Sequence, residues 1–304
     1  MFEKKFSVGL NLNEEEKTII DFMDKYHVML NSIYFSLPLG IRFYSRFQLI
    51  KEYENQEDKL LRIINLMKKY KIRREVTLNT YGLTKNDLIQ AFEYMDSTCI
   101  PEEIVCLNDY GDMIKERYPS IELKYSFNND IYDGKISKEF DTIVVGKEFL
   151  RNRDMRHVLI DYGYGVTLLL NNGCAFSCHQ KCSNENCKNI MEGLMKRYSV
   201  DELYAQQSFF PSELNNLLLD DIYGEFYKFK ISNRPLGIKY TSKVLDYYLS
   251  LKDPDQESFL EWKNYGFFCT CGQMARHFEK INFENIMSYK EKYARGLLND
   301  CRRK

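Results

Sequence analysis

The chain has 304 residues, with 43 Lys and Arg against 44 Asp and Glu and a net charge of −1. That balance excludes a global field that would draw it to nucleic acid or an anionic membrane. Hydrophobic residues at 44% and charged residues at 29% are ordinary for a folded protein, and the length suits two domains or one large barrel.

Strand-like and helix-like segments alternate along the chain. Short runs rich in Val, Ile, Leu, Phe and Tyr fall at residues 6–12, 28–36, 75–80, 103–108, 121–127, 142–146, 166–171 and 226–232. Between most of them the apolar residues recur at helical spacing. Ile19, Phe22, Met23 and Tyr26 share one face, opened by Asn13 with Glu16 three residues on, a capping-box variant. A long segment over 47–69 carries Leu60, Leu61, Ile64 and Met67 as its stripe, and its basic end runs Lys68, Lys69, Lys71, Arg73, Arg74. Cations there complement a helix C-terminus, which is the simpler reading of this patch than a nucleic-acid contact. Leu88, Ile89, Phe92 and Met95 follow Thr84 and Asp87, again in a capping relationship, and two more helices are predicted at 112–118 and 149–162.

This order predicts an α/β protein, a (β/α)8 TIM-like barrel, over residues 1–250. An open doubly wound sheet is the rival; no glycine-rich nucleotide fingerprint follows the first strand, since Leu10-Asn11-Leu12-Asn13-Glu14 has no glycine. A Cys-rich insertion at about 172–215 interrupts the repeat after strand 7, and a helical C-terminal extension is predicted over 251–304.

The insertion opens with Cys174, Cys178, Cys182 and Cys187. The opening Met1-Phe2-Glu3-Lys4-Lys5-Phe6 has no apolar leader core, and nine cysteines is an odd count. Both point to reduced thiols in the cytoplasm rather than a disulfide framework. No apolar stretch reaches the roughly 18 residues of a membrane span. Thiolates this close on one loop suit a soft metal or an iron–sulfur cluster. A [4Fe–4S] cluster is the favoured reading, with Cys269 and Cys271 as alternates for a ligand arriving from elsewhere. Zinc, with His179 as a further donor, and free thiols stay open. Cys99 and Cys106 read as small hydrophobes in the barrel wall.

A second set of candidates lies at strand ends. Asn11, Asn79, Asn108, Asn128, Asn171 and Asn233 each sit at or just after one, where a ring of carboxamides would bind a polar ligand without adding charge. Asparagine also favours turns for local reasons, which accounts for part of the coincidence. The substrate-binding candidates are Asn79, Asn108, Asn171 and Arg234, the last offering a planar fork for a carboxylate or phosphate. Asp109, Lys147 and Glu148 stand at the same level. No nucleophile elbow and no HExxH helix is present.

Three stretches together resemble the U32 peptidase-like family. They are Phe140-Asp141-Thr142-Ile143-Val144-Val145 leading to Val166-Thr167-Leu168-Leu169-Leu170-Asn171-Asn172-Gly173-Cys174 and Cys178; Tyr227-Lys228-Phe229-Lys230-Ile231-Ser232-Asn233-Arg234; and Leu78-Asn79-Thr80-Tyr81 with the strand over 104–108. The similarity spans about residues 75–250. It implies a TIM-like barrel and, as in several branches, a [4Fe–4S] cluster. Cys174, Cys178 and Arg234 match the family pattern, whereas Cys182 and Cys187 depart from the spacing of its hydroxylating branches. The expected function is an iron–sulfur enzyme modifying a substrate at the barrel mouth by oxygen-independent hydroxylation. The substrate would be a small molecule, nucleobase or peptide, with a partner subunit as a further expectation and no membrane. A zinc-stapled binding protein and a peptidase are the alternatives.

Overall fold

Several strands, such as Phe6-Ser7-Val8-Gly9, Glu122-Leu123-Lys124-Tyr125 and Lys228-Phe229-Lys230, alternate an apolar residue with a polar or small one, and that period of two sorts the two faces of the sheet. A computed structural model describes residues 2–3, 5–43, 56–80, 82–107, 110–126, 136–171, 189, 192–207, 209–232, 237–259 and 282–294. Eight strands run in chain order: β1 (Phe6–Gly9), β2 (Leu30–Phe35), β3 (Arg73–Leu78), β4 (Glu103–Cys106), β5 (Glu122–Tyr125), β6 (Thr142–Val145), β7 (Gly165–Leu169) and β8 (Lys228–Lys230). Every strand pairs in parallel with its sequence neighbour, and β8 closes on β1. The expected eight-stranded barrel is the observed one.

The outward side chains are apolar and buried. Phe6, Ile33, Leu78, Ile104, Leu123, Val145, Leu168 and Phe229 are each at most 2% exposed. Removing such a side chain from water is worth roughly 1.5–3 kcal/mol apiece, so this surface welds the helices to the sheet. The covering helices are α1 (Glu16–Tyr26), α2 (Glu57–Lys69), α3 (Lys85–Thr98), α4 (Gly111–Arg117), α5 (Lys147–Arg151), α6 (Arg153–Asp161), α7 (Val200–Gln207), α8 (Pro211–Asp220), α9 (Gly237–Ser250) and α10 (Phe283–Ala294).

Local signals behave unequally. Thr84 and Asp87 form the full capping box of α3, whereas α1 starts after Glu15 with no side-chain cap. The Asn13 backbone N–H, which Glu16 would accept from in a capping box, donates instead to Asn11 Oδ1 at 3.0 Å. The expected helix at 149–162 breaks at Asn152, whose side chain accepts from the Met155 amide and caps α6. In α2 the buried stripe is Leu60, Ile63, Ile64 and Met67, and the expected residues 47–55 lie outside the described part. Ile89 is 41% exposed and not part of the α3 stripe. Only Lys68 and Lys69 serve the end of α2; Arg73 and Arg74 belong to β3.

The segment after strand 7 and the C-terminal part of the chain meet. Asp201 at the start of α7 accepts from the Asn282 amide at 2.8 Å and from Asn285 at 2.9 Å, just before and within α10. Phe259 packs its ring on Tyr204 and Phe283. Behind α8 the chain turns so tightly at Gly224 that a Cβ would lie 2.7 Å from the Leu218 carbonyl oxygen. Among the described residues no helix is long and apolar enough to cross a membrane.

Candidate functional site in the barrel interior and mouth

The other side of the same strands is polar and charged. Following the strand register while allowing for tilt brings inward residues of alternate strands to one height, in stacked layers. Ser7, Glu75, Lys124 and Thr167 form one such layer from β1, β3, β5 and β7. Beneath it lie Glu103, Thr142 and Lys228, and beneath those Arg73 and Glu122. Bulky branched residues fill such interiors in most barrels; here ion pairs do.

Lys124 Nζ is 3.0 Å from Glu75 and donates to Glu103, all three side chains having no exposure. Lys230 donates to the other oxygen of Glu75. Arg73 bridges Glu103 at 2.7 Å and Glu122 at 2.5 Å, and Lys228 lies 3.3 Å from Glu122. Hydroxyls and amides complete the set: Ser32 donates to Glu75 at 3.1 Å, Asn31 to Glu103 at 2.9 Å and Thr142 to Glu122 at 3.0 Å. Thr167 Oγ1 is buried in the same interior without a hydrogen-bond partner.

These contacts set the charge states. Burial works to raise the Glu75 carboxyl, but the ammonium groups of Lys124 and Lys230 outweigh it and hold the group well below the usual carboxylate range. Glu122 is treated likewise, burial being overcome by Lys124, Lys228 and Arg73, which bring it down to about 2. Burial opposes the charge on Lys124 too, yet the carboxylates of Glu75, Glu103 and Glu122 carry it upward. Lys230 goes the other way. Burial lowers it, Glu75 only partly compensates, and Lys124 repels it.

At the C-terminal end of the strands is the mouth. Asn11, Asn79 and Asn171 come to one level there, each one or two residues beyond its strand. The Asn79 amide donates to Ser126 Oγ at 3.1 Å. Asn171 is held on every side: Nδ2 donates to Tyr240 Oη at 3.0 Å and to the Ser232 carbonyl at 3.3 Å, and Oδ1 accepts from the Ser232 amide at 2.7 Å and hydroxyl at 3.1 Å. A carboxamide has two donor hydrogens and two acceptor lone pairs, so the protein itself uses all four. Its observed role is to clamp the end of β7 to β8. Glu14 accepts from the Ile238 amide at 3.0 Å and so caps the start of α9.

Asn108, Asp109, Asn128, His179, Asn233, Arg234, Cys174, Cys178, Cys182, Cys187, Cys269 and Cys271 lie outside the described residues. Among the described residues no group of His, Cys, Asp and Glu is arranged to hold a metal ion. Cys99 and Cys106 are free and buried, as expected of wall residues, and burial pushes the Cys106 thiol far up. His157 is tied to Asp221 at 2.7 Å beside the buried Arg156–Asp221 pair, a structural position.

Sequence reasoning missed the interior cluster. Its signal was present as charges at alternate positions of apolar strands: Arg73 and Glu75, Glu122 and Lys124, Lys228 and Lys230.

No family model matches the sequence, and no curated protein matches it. Solved structures match by shape. A proposed aldo-keto reductase from Pseudomonas aeruginosa shares 10% identity at a TM-score of 0.41, over 82% of this chain and 90% of that one. A glycerophosphoryl diester phosphodiesterase from Parabacteroides distasonis shares 12% at 0.25, over 46% and 48% of the two chains. A β-D-glucuronidase from Dictyoglomus thermophilum shares 12% at 0.34, over 65% and 42%. At these scores the likenesses carry no argument; the barrel rests on the hydrogen-bonded order of its own strands.

Proposed function

We propose that this chain is an enzyme working at the C-terminal mouth of its barrel, on a substrate oriented by Asn79, Asn108 and Arg234 beside a [4Fe–4S] cluster held by Cys174, Cys178, Cys182 and Cys187. Cys269 and Cys271 are the alternates for a ligand. One observation carries the reading: β7 ends in a fixed point, Asn171, clamped to Ser232 and Tyr240, and the cysteine run starts three residues later. A loop that leaves a rigid strand end on the active face of a parallel barrel is where such enzymes build their sites. Four thiols within fourteen residues are a donor set chemically suited to iron. The resemblance to U32 peptidase-like proteins supports the same centre.

Bound there, the cluster would supply one-electron chemistry for an oxygen-independent hydroxylation. The chain's own residues would do the positioning. Asn79 offers a carboxamide already aimed by Ser126, and Arg234 a bidentate grip on an anionic group. Asn171 acts on the loop rather than on the substrate. Small molecules, nucleobases and peptides all fit this description. Hydroxylation without oxygen gas removes two electrons from the substrate, so an oxygen-donor co-substrate or an electron acceptor, the latter supplied by a partner subunit, would complete the reaction.

Protein purified without oxygen should be brown and contain iron and acid-labile sulfide in equal amounts. Replacing Cys174 and Cys178 by Ser should remove both. Colourless protein with stoichiometric zinc, or variants that keep their iron, would overturn the reading.

A further inference from the structure

Among the described residues the interior holds more positive charge than negative. Arg73, Lys124, Lys228 and Lys230 face Glu75, Glu103 and Glu122, so four cations meet three carboxylates. Arg73 and Lys228 keep 34% and 27% exposure at the N-terminal end, where water screens them. Lys124 is sealed between two carboxylates. The surplus charge therefore falls on Lys230.

Its surroundings set Lys230 apart. It belongs to the layer above the ion pairs, with Tyr34, Val105 and Val144, and is the one charged member of that layer. Its Nζ lies 4.1 Å from the centroid of the Tyr34 ring, and its side chain retains 9% exposure while Lys124 has none. Toward the mouth the inward positions include the small residues Gly9, Ser36, Ser126, Gly146 and Ser232 beside the larger Leu107 and Leu169, leading up to the level of Asn79. Ser126, Ser232 and Asn79 are partly exposed in this narrow well, while Gly9, Ser36 and Gly146 are buried in its wall.

From this geometry we infer that Lys230 is an amine nucleophile at the floor of the well, forming an imine with a small aldehyde or ketone. This goes beyond the cysteine-based reading and does not depend on it. Balance is simple. The Lys230 ammonium releases a proton to solvent, and the freed amine attacks the carbonyl carbon, forming a C–N bond as the carbonyl π bond breaks. The added nitrogen loses a second proton to the oxygen, giving a carbinolamine. The hydroxyl takes up a proton from solvent and departs as water. One ammonium and one carbonyl give one protonated imine and one water, with no net change in charge, so Glu75 has a cation at the Lys230 position before and after the reaction. The downward displacement of Lys230 by burial favours the free amine needed for attack. Thr167, buried without a partner one layer below, adds an uncommitted hydroxyl to the interior.

The test is reductive trapping on the full chain. Acetaldehyde, pyruvate and dihydroxyacetone are each offered with sodium cyanoborohydride, and labelled lysines are mapped by peptide mass spectrometry. The expected result is near-stoichiometric labelling of Lys230 by at least one probe, well ahead of exposed Lys68 and Lys69, with a plateau at lower pH than free lysine requires. Lys230→Arg, which keeps the charge, should abolish that label and leave the others. The wild-type map needs no variant to fold. If no probe labels Lys230, or it reacts no faster than the exposed lysines, the proposal is wrong. Metal content reads the cysteines and trapping reads the amine, so either reading can fail alone.

Discussion

The two faces of the barrel wall are made from the same strands and hold by opposite physics. Outward residues such as Leu168 and Phe229 are apolar, fully buried and replaceable by others of similar volume. Inward residues such as Glu75 and Lys124 are equally buried but charged, and each depends on a named partner across the barrel. Packing of the first kind is tolerant and stabilising. A buried ion pair is weak evidence for stability, since desolvation offsets most of its attraction, yet losing one member is severe.

The sharpest way to break the comparison is Lys124→Met. Glu75 and Glu103 would be left without their shared cation, and unfolding free energy measured by denaturant titration should fall by about 3–5 kcal/mol. A loss below about 1 kcal/mol would mean that water or rearrangement readily replaces the ammonium. On the other face Leu168→Ala should cost about 2–5 kcal/mol through lost burial and a cavity, with the fold and the interior titration unchanged.

Acid should separate the faces most gently. Glu75 and Glu122 have folded pKa values below their unfolded ones, near 4.3 for a glutamate. Their contribution is therefore complete above that value and is lost as pH falls toward the folded pKa, about 2 for Glu122. Stability followed by circular dichroism should decline from about pH 4.5 downward, and Glu122→Gln should flatten the decline. An unchanged slope in that variant would show that the interior carboxylates do not govern acid unfolding.

Much of the barrel was legible because strand and helix periods alternate locally. Thr84 and Asp87 show a local signal fully realised; Asn13 and Glu16, with the same spacing, do not, because Asn11 captures the Asn13 amide. Arg73 and Arg74 read as the end of a helix, since nothing nearby in sequence reveals Glu103, Glu122 or Glu102 as partners. Asn171 was legible as a mouth residue, but its clamp on Ser232 and Tyr240 depends on groups more than sixty residues away.

Composition and period thus determined by themselves that the chain closes a parallel barrel and carries a cysteine-rich stretch of sequence after its seventh strand. Only the tertiary structure decided which charges meet inside. Alternation tells which side of a strand a residue takes, but the register between distant strands decides which residues share a layer, and a buried charge draws its meaning from that layer alone.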